Sequence, residues 1–162
     1  MATVTLYMAI SADGFIATSD DNTEWVGDES WQSYLEFVAN CDVVLVGKNT
    51  FQLMEKDEFV EGTKYLVVAS DSTRTNHDSI SITSKNDLPQ VEKIGVIGGG
   101  ELNGRLLALG VINEVILDVE PIILGSGKKL FGERNITAHL KLFSSKLIGP
   151  STVQNRYKVE RA

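Results

Sequence analysis

An internal disulfide is excluded at once, because the chain carries a single cysteine, Cys41, and one thiol closes no bridge. No CxxC pair is present, and there are only two histidines, so no spacing suits structural zinc and no metal site is expected. His77 and His139 stand alone and read as surface or strand residues, not as ligands or bases. Positive charge is scarce: 15 Lys and Arg face 22 Asp and Glu, for a formal net charge of -7. Duplex nucleic acid is held by clustered Lys and Arg, and without a basic run nucleic acid is not expected as a partner. No segment approaches the length of a membrane span. The N-terminal MATVTLYMAIS alternates instead of presenting a basic region followed by a long apolar stretch, so it reads as a first strand and not as a signal peptide. The expectation is a cytoplasmic protein with no membrane partner.

What is present is an ordinary globular composition, 43% hydrophobic and 23% charged over 162 residues. That length predicts one domain, residues 1–162, with a real core. The most informative stretch is IGVIGGGELNGRLLAL, residues 94–109. Ile94, Val96 and Ile97 read as a buried strand, and Leu102, Leu106 and Leu109 recur at helical spacing. Gly98, Gly99 and Gly100 lie between, where a strand gives way to a helix and a side chain would obstruct close approach. The free N–H groups and positive dipole end of a helix start suit a phosphate. Glu101, in the first helical turn, would repel an anion placed directly there.

In chain order, Val4, Leu6, Met8 and Ile10 line one face of the first strand, predicting a core face and a second face only partly covered. Residues 18–28 have loop composition with Trp25 embedded, either pinning the loop to the core or serving as a lid. A helix begins at Asp28 or Glu29 with Trp31, Leu35 and Val38 as its buried stripe. Residues 41–46 form a continuous apolar strand of the kind buried on both faces of a parallel sheet. It stops at Gly47, a second strand–glycine–helix junction where Lys48 is available to a phosphate and Asn49 or Thr50 to a cap. The next strand, residues 65–69, runs into Ser70 and Arg74, a hydroxyl and guanidinium combination that suits a phosphate monoester or a solvated turn. Residues 115–119 form another strand, a glycine-rich loop follows, and the chain closes with two long strands joined at Gly149 and Pro150. No internal repeat, linker or low-complexity segment interrupts this order.

A Rossmann unit is the first alternative, since Asp118 stands near the end of the strand after the glycine turn. The glycine pattern is GGG and not GxGxxG, and a hairpin follows where further βα units belong. The order of parts resembles instead the dihydrofolate-reductase-like family, in particular the reductase group found as the C-terminal domain of the bifunctional riboflavin-biosynthesis deaminase-reductase. The carriers are SADGFIA at residues 11–17, CDVVLVGKNT at 41–50, IGGGEL at 97–102, and PIILGSG at 121–127 with Leu130 and Phe131. The resemblance implies an α/β, dihydrofolate-reductase-like three-layer sandwich, with a central, mostly parallel sheet and an antiparallel C-terminal hairpin. It implies NADPH, flanked by Gly47, Lys48, Asn49 and Thr50 and by Gly98, Gly99, Gly100, Glu101 and Leu102, with Ser70 and Arg74 near the adenosine 2′-phosphate. Ala12, Asp13, Gly14, Trp25, Pro121, Leu124 and Gly125 would line the substrate pocket. A homodimer through sheet edges is implied as well.

The expected activity is that of an NADPH-dependent reductase similar to 5-amino-6-(5-phosphoribosylamino)uracil reductase, carrying hydride to a C=N or C=O bond of a small heterocyclic or sugar-linked substrate. Two departures from the family bear on it. Riboflavin-pathway reductases carry a lysine before the first-strand motif, whereas residues 6–10 here hold no base, which argues against a phosphorylated ribose. Dihydrofolate reductases carry an acid on the first helix; the equivalent position falls near Trp31, with Glu29 the nearest carboxylate, which disfavours pteridine reduction. Dihydrofolate reductase activity and a catalytically silent nucleotide-binding protein are the alternatives. No catalytic residue is identified.

Overall fold

A computed structural model describes residues 1–69 and 78–161. Strand β1 (Thr3–Ser11) leads through a tight turn into the short β2 (Phe15–Ala17), a loop and helix α1 (Asp28–Ala39). Then come β3 (Val43–Gly47), α2 (Lys48–Leu53), β4 (Lys64–Val68), β5 (Ser79–Ile80), β6 (Lys93–Val96) and α3 (Gly100–Ala108). The chain ends in β7 (Glu114–Glu120), β8 (Lys128–Lys129), β9 (His139–Leu147) and β10 (Val153–Glu160).

Eight strands form one sheet in the order β5-β4-β3-β6-β1-β7-β10-β9. The pairs among the first six are parallel, and β10 runs antiparallel to both β7 and β9. Consequently β1, β3, β6 and β7 all present their carboxyl ends at one edge, where ligands of open α/β sheets bind. On one face α3 inserts Leu102 and Leu106 among Val4, Leu6, Leu45 and Val96; on the other, Val44, Val46, Val67 and Ile97 meet Val38, Phe37 and Phe51 from α1 and α2. This is the mostly parallel, three-layer arrangement with an antiparallel end that the resemblance implies. Removing a fully buried leucine such as Leu6, Leu45 or Leu106 forfeits about 1.5–3 kcal/mol of apolar transfer before any cavity cost.

Two local expectations are corrected and one unforeseen element is added. The second face of β1 is not merely part-covered: Tyr7 is buried there, stacked on Phe37 with ring centroids 5.0 Å apart and edge-on to Tyr34 at 6.1 Å. A strand flanked by β6 and β7 is central, so α1 covers what alternation alone would leave wet. The stripe of α1 is also turned by about one residue. Ser30 and Val38 are its buried residues, while Trp31 and Leu35 are only half-buried, because Ser30 is drawn inward by a polar partner on β7. Finally, β2 and β8 pair as a separate two-stranded antiparallel ribbon. A Cβ at Gly127 would collide with the Ala17 carbonyl, so the ribbon's close approach requires glycine there.

Candidate active site

The two glycine junctions meet. The Gly47 N–H donates to the Gly98 carbonyl at 2.8 Å, and the Ile97 N–H to the Leu45 carbonyl at 3.2 Å, so the carboxyl ends of β3 and β6 are tied together. The Gly98–Gly99 peptide is cis, and Gly98 has a φ of 99°, a region that favours glycine. A Cβ on Gly47 would stand 3.4 Å from the Gly98 carbonyl, and one on Gly99 would stand 3.0 Å from Thr50 Oγ1. Helices α2 and α3 therefore start side by side. Their N-caps, Gly47 and Gly99, make no side-chain capping bond, so no cap side chain takes up the first-turn N–H groups at either start.

The other residues expected at a cofactor divide by surroundings. Lys48 and Asn49 are exposed and Thr50 is half-buried beside Gly99. Glu101 is exposed and leans toward Gly132, where a Cβ would lie 2.7 Å from its Oε1. Leu102 is buried in the core beneath α3, so it can offer a ligand only its backbone. Gly100 has a packing reason of its own: a Cβ there would strike the Lys129 carbonyl and lie 2.9 Å from the Gly132 nitrogen. Asn103 completes that contact, its Nδ2 donating to the Leu130 carbonyl at 2.9 Å while its buried Oδ1 has no partner among the described residues. Ser70, Arg74 and His77 lie outside the described residues.

Among the residues expected at the substrate, Asp13 holds more than its own turn. Its carboxylate accepts from Ser11 Oγ at 2.7 Å, from the Leu124 N–H at 3.1 Å and from the Gly125 N–H at 2.7 Å. The Ala12 N–H donates to the Ile122 carbonyl at 2.8 Å. The turn at Ala12, Asp13 and Gly14 is thus clasped to the loop holding Pro121, Leu124 and Gly125. The Ser11 hydroxyl first, and then the two loop N–H groups, hold the Asp13 carboxyl below its ordinary range. Trp25 is half-buried, and its indole N–H donates to the Asn22 carbonyl at 3.1 Å, so it is anchored within its own loop.

A buried polar cluster under α1 went unrecognised in the sequence. Register pairs Ala9 with Asp118 and Asp118 with Gln154, so Tyr7, Asp118, Glu120 and Gln154 share one face of the sheet. The Tyr7 hydroxyl donates to Asp118 Oδ2, and Gln154 Nε2 donates to Asp118 Oδ1 at 2.9 Å. The Ser30 hydroxyl donates to Glu120 Oε1, and Thr152 Oγ1 to Glu120 Oε2 at 3.3 Å. Burial pushes the Asp118 carboxyl above the ordinary range against the pull of Tyr7, Gln154 and Ser30, with the charge of Glu120 adding to it. Burial, and then the Asp118 charge, holds the Tyr7 phenol far above its usual range, so it stays a donor. The one signal in the sequence was polar residues on alternate positions of a strand that should be central.

The family model for the RibD C-terminal domain matches residues 2–91 and 85–154. The uncharacterized protein YwjB of Bacillus subtilis strain 168 is 30% identical over 166 residues, spanning 94% of this chain and 95% of that protein. YyaP of the same bacterium is 25% identical over 176 residues, spanning 95% and 93%. A pyrimidine reductase-like protein from Corynebacterium diphtheriae shares the fold with a TM-score of 0.79 at 15% identity, over 99% of this chain and 93% of that one.

Proposed function

The chain belongs to the RibD C-terminal domain family, a reductase-like group, and on that premise we propose that it is an NADPH-dependent reductase of the riboflavin-biosynthesis type. Its substrate would be a small heterocyclic or sugar-linked compound reduced at a C=N or C=O bond. The observation that carries the reading is the Gly47 N–H to Gly98 carbonyl bond, at 2.8 Å, which sets two uncapped helix starts next to each other. Such a donor set fits a pyrophosphate: first-turn N–H groups of α2 and α3, the Thr50 hydroxyl and the exposed Lys48 ammonium. NADPH, when bound, supplies the hydride.

The remaining residues would bind, orient and exclude water. Lys48 neutralises phosphate charge, and Gly99 leaves the space between the turns open. Ser70 and Arg74 are proposed, from family resemblance, for the 2′-phosphate. The Asp13 clasp fixes the two loops that would frame the substrate, and Trp25 would exclude water from it. A dihydrofolate reductase proper is disfavoured, because the inward residue in the first turns of α1 is Ser30 and not an acid.

Titration with NADPH and NADH, followed by quenching of tryptophan fluorescence, tests the proposal. Tight binding with a strong preference for NADPH is expected, and Gly99→Val, which presses a branched side chain onto Thr50, should abolish it while the fold remains. No binding of either nucleotide by the native protein ends the enzyme reading.

A homodimer is part of the same proposal. Strand β9 is a sheet edge that leaves Leu140, Leu142, Phe143 and Leu147 exposed, and an apolar edge of this length calls for a cover. A second copy meeting it there would give twice the chain mass in light scattering, and Leu142→Lys should return the monomer. A monomeric native protein removes the dimer.

A further inference from the structure

We infer that the substrate is a small cation, whose amine, guanidine or quaternary ammonium group seats in an aromatic furrow between α1 and α2, against the carboxylate of Glu58. The inference rests on the reductase reading above and deepens it, since it names the charge that the reading leaves open.

Two sets of rings meet over one apolar patch of the sheet, where Tyr34, Phe51 and Tyr65 pack on Val44, Val46 and Val67. From α1 come Trp31 and Tyr34, stacked with centroids 5.4 Å apart. From the opposite side comes Phe51 of α2, edge-on to Phe59 at 5.5 Å, and Phe59 is in turn edge-on to Tyr65 of β4 at 5.1 Å. All five rings are half-buried, so each keeps part of its surface toward water. At one end α1 is tied to the opposite wall, where Thr63 Oγ1 donates to the Val38 carbonyl at 3.5 Å. The other end lies at the carboxyl ends of the strands, because α1 returns from β2 to the start of β3 and so begins there, with Trp31 in its first turn. That is the edge of the two glycine turns.

Glu58 stands among these rings. Burial first, and then the charges of Tyr65 and Glu58, hold the Tyr34 phenol far above its usual range, so the ring stays neutral within reach of the carboxylate. Glu58 Oε2 accepts the Glu55 N–H at 3.2 Å. No Lys, Arg or His pairs with it, the one ion pair among the described residues being Lys129 with Glu133. Burial pushes the Glu58 carboxyl above its ordinary range against the pull of the Glu55 N–H, and the charges of Asp57 and Glu55 add to it. The fold thus leaves a partly desolvated negative charge without a counter-ion, a cost that a bound cation would offset.

The wider charge distribution has the same sign. The first base of the chain is Lys48, so β1, the Asp13 turn, the 18–28 loop and α1 carry none, whereas Asp20, Asp21, Glu24, Asp28 and Glu29 crowd the loop and the helix start. On the opposite wall Lys56 and Lys64 are exposed and are outnumbered by Glu55, Asp57, Glu58 and Glu61. A phosphate in the furrow would meet this field unpaired. A cation gains from it twice, by attraction to Glu58 and by contact with ring faces, of which tryptophan is the best. The two ligands of the reductase then divide the cleft by charge, the anionic cofactor at Lys48 and the cationic substrate at Glu58.

Benzyltrimethylammonium, benzyl alcohol and benzyl phosphate present one ring with three charges and test this without a substrate. In a Trp25→Phe protein Trp31 is the sole tryptophan, and its fluorescence reports binding. The cation should quench it and bind about tenfold more tightly than the alcohol, with the phosphate weakest. Glu58→Gln keeps the shape and the acceptor for Glu55, and should remove that preference; in the unsubstituted site added salt should weaken it. Near-UV circular dichroism checks that each variant folds, and the order of the three probes on the Glu58 protein is a test in itself. Equal binding of the three, tightest binding of the phosphate, no binding of the cation, or a cation preference that survives Glu58→Gln overturns the inference. NADPH is titrated separately: its binding without a cation preference removes this inference alone, and a cation preference without NADPH binding removes the reductase and leaves a cation site.

Discussion

Replacing Gly100 by alanine separates packing from cofactor binding at the glycine turn. Gly100 opens α3 with an ordinary negative φ, so alanine can adopt its backbone conformation and even gains a few tenths to about 1 kcal/mol by restricting the unfolded chain. The cost is steric. The added Cβ would strike the Lys129 carbonyl and approach the Gly132 nitrogen to 2.9 Å and its Cα to 3.3 Å. All three are backbone atoms, which no rotamer change can move, so α3 and the 129–132 segment must separate. Overpacking of this kind costs about 1–3 kcal/mol, leaving a net loss of about 1–2 kcal/mol. In a domain of this size that lowers the melting temperature by about 2–8 °C. Gly104 faces the same segment, where a Cβ would strike the Phe131 carbonyl. Because both substitutions displace one segment, the double variant should lose less than the sum of the two. Gly110→Ala serves as a control: its φ is 67° with open space around it, so it tests backbone conformation alone. Thermal and urea unfolding of the four variants measure this. A Gly100→Ala protein as stable as the native one, or a double variant with fully additive losses, would refute the packing argument and return Gly100 to the cofactor.

Three further outcomes follow from the same geometry. Asp118 has a folded pKa raised above its ordinary 3.8, so it stabilises the fold most below that value and loses this contribution as pH rises from there through its folded pKa; Asp118→Asn should flatten that part of the stability curve, and parallel curves for the two proteins would count against it. Burial first, and then the charge of Asp42, pushes the Cys41 thiol up to about 11, so a disulfide reagent at pH 7.5 should label it slowly in the native protein and rapidly in denaturant; fast native labelling contradicts the burial. The Asp13 clasp depends on an ionised carboxylate held below its ordinary range, so it persists until pH falls through that depressed value, and Asp13→Asn should raise hydrogen exchange at Leu124 and Gly125 at neutral pH while leaving β1 unchanged.

The parallel strands were legible because apolar runs such as residues 43–46 suit strands buried on both faces, and because glycine at 47 and 98–100 marks where strands hand over to helices; their order in the sheet was not. The hairpin of β9 and β10 could be read from its alternation. The small ribbon of β2 and β8 was not, since two and three residues carry no periodicity, and its mark, the approach of Gly127 to Ala17, is a tertiary one. The α1 stripe was misread for a related reason. Counting apolar residues selects Trp31 and Leu35, whereas the helix turns toward Ser30 because a carboxylate waits beneath it on β7.

That misreading and the missed cluster have one cause. Hydrophobic periodicity locates groups whose burial is favourable on its own, and a buried polar group is favourable only with its partners. Those partners lie far apart in the chain: Tyr7 with Asp118, Ser30 with Glu120, Gln154 with Asp118. Asp118 drew notice in the sequence only as a ribose ligand of a fold the chain does not have. Once register sets β7 between β1 and β10, the same residue belongs to the most heavily hydrogen-bonded buried group described in the protein, and that group lies at the edge where the glycine turns open. The glycine junctions are written locally, at strand ends and helix starts, and were accessible to inspection. The buried polar cluster is assembled across the sheet, and it emerges only when three strands and one helix are brought together.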